Sequence, residues 1–161
     1  MAAFSGKISL KEAKLKAAKY CAYQERTQQQ VRDKLYGLGC TSDETEEIIS
    51  ALIIDGFINE ERFALTFAGG KFGLKKWGRI KIKYQLSALN ISEYCINKAL
   101  ESIDESEYSL TLDGLVAKKW NEIKEKSHPN PAQKIINFAM QKGYEVDLIK
   151  ESIERQKLFL K

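Results

Sequence analysis

Apolar side chains recur along this chain at spacings of four and seven, and each run ends in a residue suited to stopping a helix. Val31, Leu35 and Leu38 lead into Gly39; Ile82, Leu86 and Leu89 lead into Asn90; Ile135 and Ala139 lead into Gly143. A second apolar run follows each stop: Ile48, Ala51 and Leu52; Ile96, Ala99 and Leu100; Leu148, Ile149 and Ile153. Such spacing gathers apolar residues on one face of an α-helix. Glycine or asparagine closes the helix because it reaches the left-handed backbone conformation cheaply. One small helical unit is therefore repeated, in weakened form, along the chain. Repeats of this kind present extended surface rather than one enclosed pocket, which points to binding.

Polar punctuation supports the helical reading. Ser9 with Glu12, and Thr27 with Gln30, have the spacing of capping boxes. They imply one helix through Ala13, Ala17 and Cys21, a break near Glu25 and Arg26, and a second helix ending at the Gly37 to Gly39 stop. Thr41 or Ser42 caps the next, whose first turn carries Asp43, Glu44, Glu46 and Glu47 at the positive end of the helix dipole; Gly56 ends it. Asn59 caps a further helix with Phe63 and Phe67 one turn apart, which Gly69, Gly70 and Gly73 are expected to fray. Pro131 suits a first helical position after Asn130. No segment alternates apolar and polar residues between turn signals, so no strand is expected. The expected units are 9–73, 74–127 and 128–161.

A helix over Trp77 to Leu89 would be apolar on two sides. Ile82, Leu86 and Leu89 fall on one face and Trp77, Ile80, Tyr84 and Ala88 on the other. That arrangement predicts burial on both sides, between the unit's own core and another unit or a partner. Charge adds to the picture. Lys71, Lys75, Lys76, Arg79, Lys81 and Lys83 come with no acidic residue among them, whereas the stretch from Leu35 to Glu61 is acidic and holds no Lys or Arg. A concentrated positive edge suits phosphates or the carboxylates of a protein partner.

With 161 residues, 43% of them hydrophobic, the chain is long enough for one domain or a row of small helical units. A formal net charge of +4 permits polyanion contact without demanding it. Cys21, Cys40 and Cys95 are odd in number and widely spaced, which suggests neither a disulfide framework nor a zinc site. With no signal-like apolar core in Met1 to Leu10 and no run long enough to span a bilayer, a cytoplasmic protein with no membrane contact is expected.

Arg26-Thr27-x-x-Gln30-Val31-x-x-Lys34-Leu35 before Gly39, then Gly56-Phe57-Ile58-Asn59-Glu60-Glu61-Arg62-Phe63-Ala64, then Gly78-x-x-Lys81-Ile82-x-x-Gln85-Leu86, resembles the RecX family of bacterial regulators of RecA recombinase. The resemblance runs from about Ala17 to Ile153. It implies an all-α fold of tandem repeats of three-helix units forming an elongated, curved module, without enzymatic activity or cofactor. It also implies binding along RecA filaments on single-stranded DNA and suppression of RecA's ATPase, strand exchange and coprotease action. Lys81 stands where the family often has arginine, and Gln30 and Gln85 where it often has glutamate. Motif and basic cluster together make Arg26, Lys34, Arg62, Lys75, Lys76, Arg79, Lys81 and Lys83 the candidate contacts to the filament or to DNA phosphate.

Other chemistry finds little support. His128, the only histidine, is expected to be exposed and has no cysteine nearby. Gly69-Gly70 lacks the Gly-Lys-Ser or Gly-Lys-Thr ending of a phosphate-binding loop, and nothing supplies a nucleophile beside a base or a metal shell. Weak direct DNA contact fits the basic edge, and a monomer is the simplest state. A DNA-binding module of helix-turn-helix type is the alternative, since short helices with a basic second helix also describe it.

Overall fold

The computed structural model describes residues 6–157. Within them the regular structure is entirely helical: α1 Leu10–Tyr23, α2 Gln28–Gly37, α3 Ser42–Ile54, α4 Glu60–Lys75, α5 Arg79–Ala88, α6 Glu93–Glu101, α7 Glu105–Ile123, α8 Pro131–Gln141 and α9 Val146–Gln156. The chain divides into two compact units, Met1–Phe63 and Ala64–Lys161.

In the first unit α1, α2 and α3 pack on one another around Ala13, Ala17, Val31, Leu35, Ile48, Ile49 and Leu52. In the second, α5 packs on α6, and α7, α8 and α9 pack mutually. The expected division at 127/128 falls between α7 and α8, two helices that touch; residues 158–161 of the expected last unit lie outside the described residues.

The repeat is visible in backbone hydrogen bonds. After α2 the Cys40 amide donates to the Leu35 carbonyl; after α5 Ile91 donates to Leu86; after α8 Tyr144 donates to Ala139. The residue between is left-handed in each case: Gly39 at φ 88°, Asn90 at 60° and Gly143 at 99°. This closure satisfies carbonyls that a helix end leaves open. It also turns the next residue inward, and Cys40, Ile91 and Tyr144 are all buried. The pairs Val31 and Leu35, Ile82 and Leu86, and Ile135 and Ala139 are fully enclosed.

Most caps form where the residues indicate. Thr27 with Gln30 and Thr41 with Glu44 make complete capping boxes, while Ser9 accepts from the Glu12 amide, Asn59 from Arg62 and Asn130 from Gln133. Three expectations need correction. Gly69, Gly70 and Gly73 do not fray α4, which runs unbroken to Lys75; a glycine costs a helix only about 1 kcal/mol, which neighbouring turns can absorb. Trp77 is not in α5, because Lys76 takes a left-handed φ of 57° and Gly78 becomes the cap residue. His128 is half-buried, not exposed, with its Nε2 shielded from solvent and unpartnered. Burial, aided by Lys134, Lys126 and Lys119, lowers its pKa.

Candidate interaction surface

α5 begins without a side-chain cap, since Gly78 has none to offer. Its orphan donors are satisfied instead by the turn between α8 and α9 and by α7. Gly78 N donates to Lys142 O at 2.7 Å, Ile80 N to Gly143 O at 3.0 Å, and Arg79 N to the Tyr108 hydroxyl at 3.1 Å. The approach is close enough to require glycine on both sides. A Cβ on Gly78 would lie 2.3 Å from Gly143 O, and one on Gly143 would lie 2.3 Å from Lys81 Cβ.

Aromatic rings fill the space behind this clasp. Tyr108 stacks at 5.0 Å from Tyr144 and 5.8 Å from Phe72; its hydroxyl donates to Glu145 at 2.7 Å, and the Tyr144 hydroxyl donates to Lys76 O at 2.9 Å. Burial raises the pKa of both phenols well above the usual tyrosine range, aided by Glu145, so they remain protonated donors.

Arg79 belongs to this clasp. Its guanidinium lies 3.9 Å over the Tyr108 ring and pairs with Glu105 at 2.6 Å and Glu145 at 3.5 Å. Burial opposes the charge, but the Glu105 hydrogen bond and the two carboxylates outweigh it and raise the pKa. Arg26 and Arg62 are also engaged internally. Arg26 sits 3.8 Å over the Tyr20 ring and donates to the Tyr20 carbonyl, and Lys34 lies 5.5 Å from that ring. Arg62 pairs with Glu25 and donates to Gly56 O at 2.9 Å.

The four remaining candidates differ. Lys75, Lys76 and Lys83 are exposed and form no ion pair among the described residues. Lys81 lies 4.5 Å from the Trp77 ring, which Lys71 approaches from 4.9 Å, so the indole is flanked by two ammonium groups. On α5 itself Ile80 and Tyr84 are 55% and 71% exposed, so the second apolar face is not covered by the described residues, contrary to the burial expected on both sides.

The sequence reading missed Tyr108, Tyr144 and Glu145. The usable signal was a helix start at Gly78 with no Ser, Thr, Asp or Asn to cap it, which implies a donor set satisfied from elsewhere. Among the described residues no three His, Cys, Asp or Glu side chains gather as metal ligands, and no helix is long and apolar enough to cross a membrane.

Comparison with known proteins agrees with this architecture. Residues 13–52, 59–100 and 111–153 match models of the first, second and third three-helix domains of RecX. The regulatory protein RecX of Clostridium perfringens SM101 is 31% identical over 132 residues, covering 81% of this chain and 61% of the relative. That of Clostridium tetani is 32% identical over 130 residues, covering 80% and 59%. The chain thus spans about three fifths of the length of the curated relatives it matches. A crystal structure of RecX from Lactobacillus salivarius superposes with a TM-score of 0.82 at 28% identity, over 94% of this chain and 97% of that one. With all three domains matched in order and the same helical repeat in the structure, the chain belongs to the RecX family of regulatory proteins.

Proposed function

We propose that this protein binds RecA filaments on single-stranded DNA and limits their assembly, thereby inhibiting ATP hydrolysis, strand exchange and coprotease action, without a chemical step of its own. The family match across three successive helical domains carries this reading. A row of units can touch successive protomers of a polymer. Once one unit is attached, the next binds at high effective concentration, so several weak contacts add to a durable one. A cytoplasmic monomer with weak direct DNA contact fits this role. Of the candidate contacts, Lys75, Lys76, Lys81 and Lys83 are best suited to an outside carboxylate or phosphate, since Arg26, Arg62 and Arg79 hold partners within the chain.

The test is RecA ATPase on single-stranded DNA. The wild-type protein lowers hydrolysis at sub-stoichiometric ratios, and reversal of Lys75, Lys76, Lys81 and Lys83 to glutamate removes inhibition while helical content and melting stay near wild type. Unchanged hydrolysis at a molar excess of wild-type protein rejects the reading.

A further inference from the structure

The three second helices of the repeat can be aligned on their enclosed pairs, Val31 and Leu35 in α2, Ile82 and Leu86 in α5, and Ile135 and Ala139 in α8. Two positions on the outward face then differ in kind. In α2 they are Gln29 and Asp33, and the glutamine amide donates to the carboxylate at 2.8 Å. In α8 they are Gln133 and Asn137, joined by the same bond at 2.8 Å. In α5 they are Ile80 and Tyr84, one helical turn apart and both exposed.

The neighbouring positions change in the same direction. Arg32 of α2 pairs with Glu46 of α3 at 2.6 Å. The corresponding residues are Lys83, which has no ion-pair partner among the described residues, and Asn97, which is exposed and carries no charge to pair with it. Lys83 also edges an open groove of about 470 Å³ lined by Ser87, Asn90, Ile91, Glu93 and Ile96. Where the outer helices close their surface with self-contained polar pairs, α5 presents apolar side chains beside uncompensated positive charge.

We infer that this face of α5, centred on Ile80 and Tyr84 and edged by Lys83, seats a partly apolar, carboxylate-bearing protein surface. The inference rests on the filament-binding reading, and within it the occupant is the RecA protein rather than the DNA. Charge selects an acidic partner, since Lys83, like Lys75 and Lys76, is exposed and forms no ion pair among the described residues. The side chains select protein over nucleic acid. A base stacks on an aromatic ring, and Ile80 offers none; aliphatic surface is desolvated favourably only against other apolar surface. Tyr84, amphipathic and rigid, is the kind of residue on which protein interfaces concentrate their binding.

The experiment measures anisotropy of fluorescently labelled full-length protein, with RecA filaments formed on oligo(dT) and with oligo(dT) alone. The double variant I80Q/Y84N installs on α5 the pair that α8 already carries. It is expected to weaken filament binding at least tenfold, to leave binding to oligo(dT) unchanged, and to melt like wild type. K83E, an exposed substitution outside the apolar pair, is expected to weaken filament binding severalfold and to serve where the double variant is unstable. Wild-type filament affinity in folded I80Q/Y84N overturns the inference while the proposed function stands. An equal loss on oligo(dT) alone overturns it in favour of a nucleic-acid platform. Failure of the wild-type protein to bind filaments at all overturns the filament reading first and this inference with it.

Discussion

In the first unit, α2 is completed locally. Thr27 and Gln30 cap its start, Gln29 bonds Asp33 on its outer face, and Arg32 pairs with Glu46. In the middle of the chain α5 has the same buried pair and the same left-handed exit but completes little for itself. Its start is capped by Gly143 and Tyr108, and its outer face stays apolar and open. A helix capped by a neighbouring bundle cannot rotate independently of it, so one side of α5 is fixed to α7, α8 and α9 while the other is left for contact. The contrast shows how copied units diverge: the enclosed positions keep their roles, and the boundary positions acquire new ones.

The sharpest way to break this comparison is at the two cap residues. Gly78→Ala pushes a Cβ into the Gly143 carbonyl at 2.3 Å, backbone against backbone, and is expected to cost roughly 3 kcal/mol, the upper range for overpacking. Thr27→Ala removes only a local cap and costs about 1 kcal/mol. Urea unfolding of both variants measures the difference, and equal losses would show that the clasp does no more than an ordinary cap. Next in size, Tyr108→Phe keeps the ring stack but leaves Glu145 and the Arg79 amide without their hydroxyl partner, at about 1 to 3 kcal/mol. Calorimetry should find its melting temperature lowered, and a melt like wild type would mean that water replaces the phenol.

The smallest effect concerns pH. The Lys7 hydrogen bond, followed by the Thr41 amide, lowers the Glu44 pKa, and the Arg32 hydrogen bond lowers that of Glu46. Carboxylates with depressed pKa values stabilise the fold above their unfolded value of 4.5, and that contribution is lost as pH falls through the folded pKa. Mild acid should therefore loosen the first unit, and Glu46→Gln should flatten its acid response in hydrogen exchange. An unaltered pH profile would mark the Arg32 pair as energetically neutral, as exposed pairs often are.

Much of the fold was legible because helix starts and stops are local chemistry. Thr27 with Gln30, Thr41 before Glu44, Asn130 before Pro131 and the stops at Gly39 and Gly143 each depend on residues within one turn. The two-faced character of α5 was also readable, but the expected burial of its second face does not occur among the described residues, where Ile80 and Tyr84 are exposed. What was not legible depended on distant neighbours. The internal partners of Arg79 could not be read because its nearest charges in the chain are all positive, whereas Glu105 and Glu145 reach it only through packing. Trp77 looked helical because its spacing continues the Ile80 and Tyr84 series, yet the chain turns at Lys76.

By itself, then, the sequence determined an all-helical repeat of the RecX type, since periodicity, caps and glycine stops act over a few residues and need no partner to be expressed. Which cations remain free, which glycines lie against another backbone and which face of α5 stays open were decided by tertiary structure alone. Those properties depend on the distance between groups tens of residues apart, and a linear pattern does not encode such distances until the helices have packed.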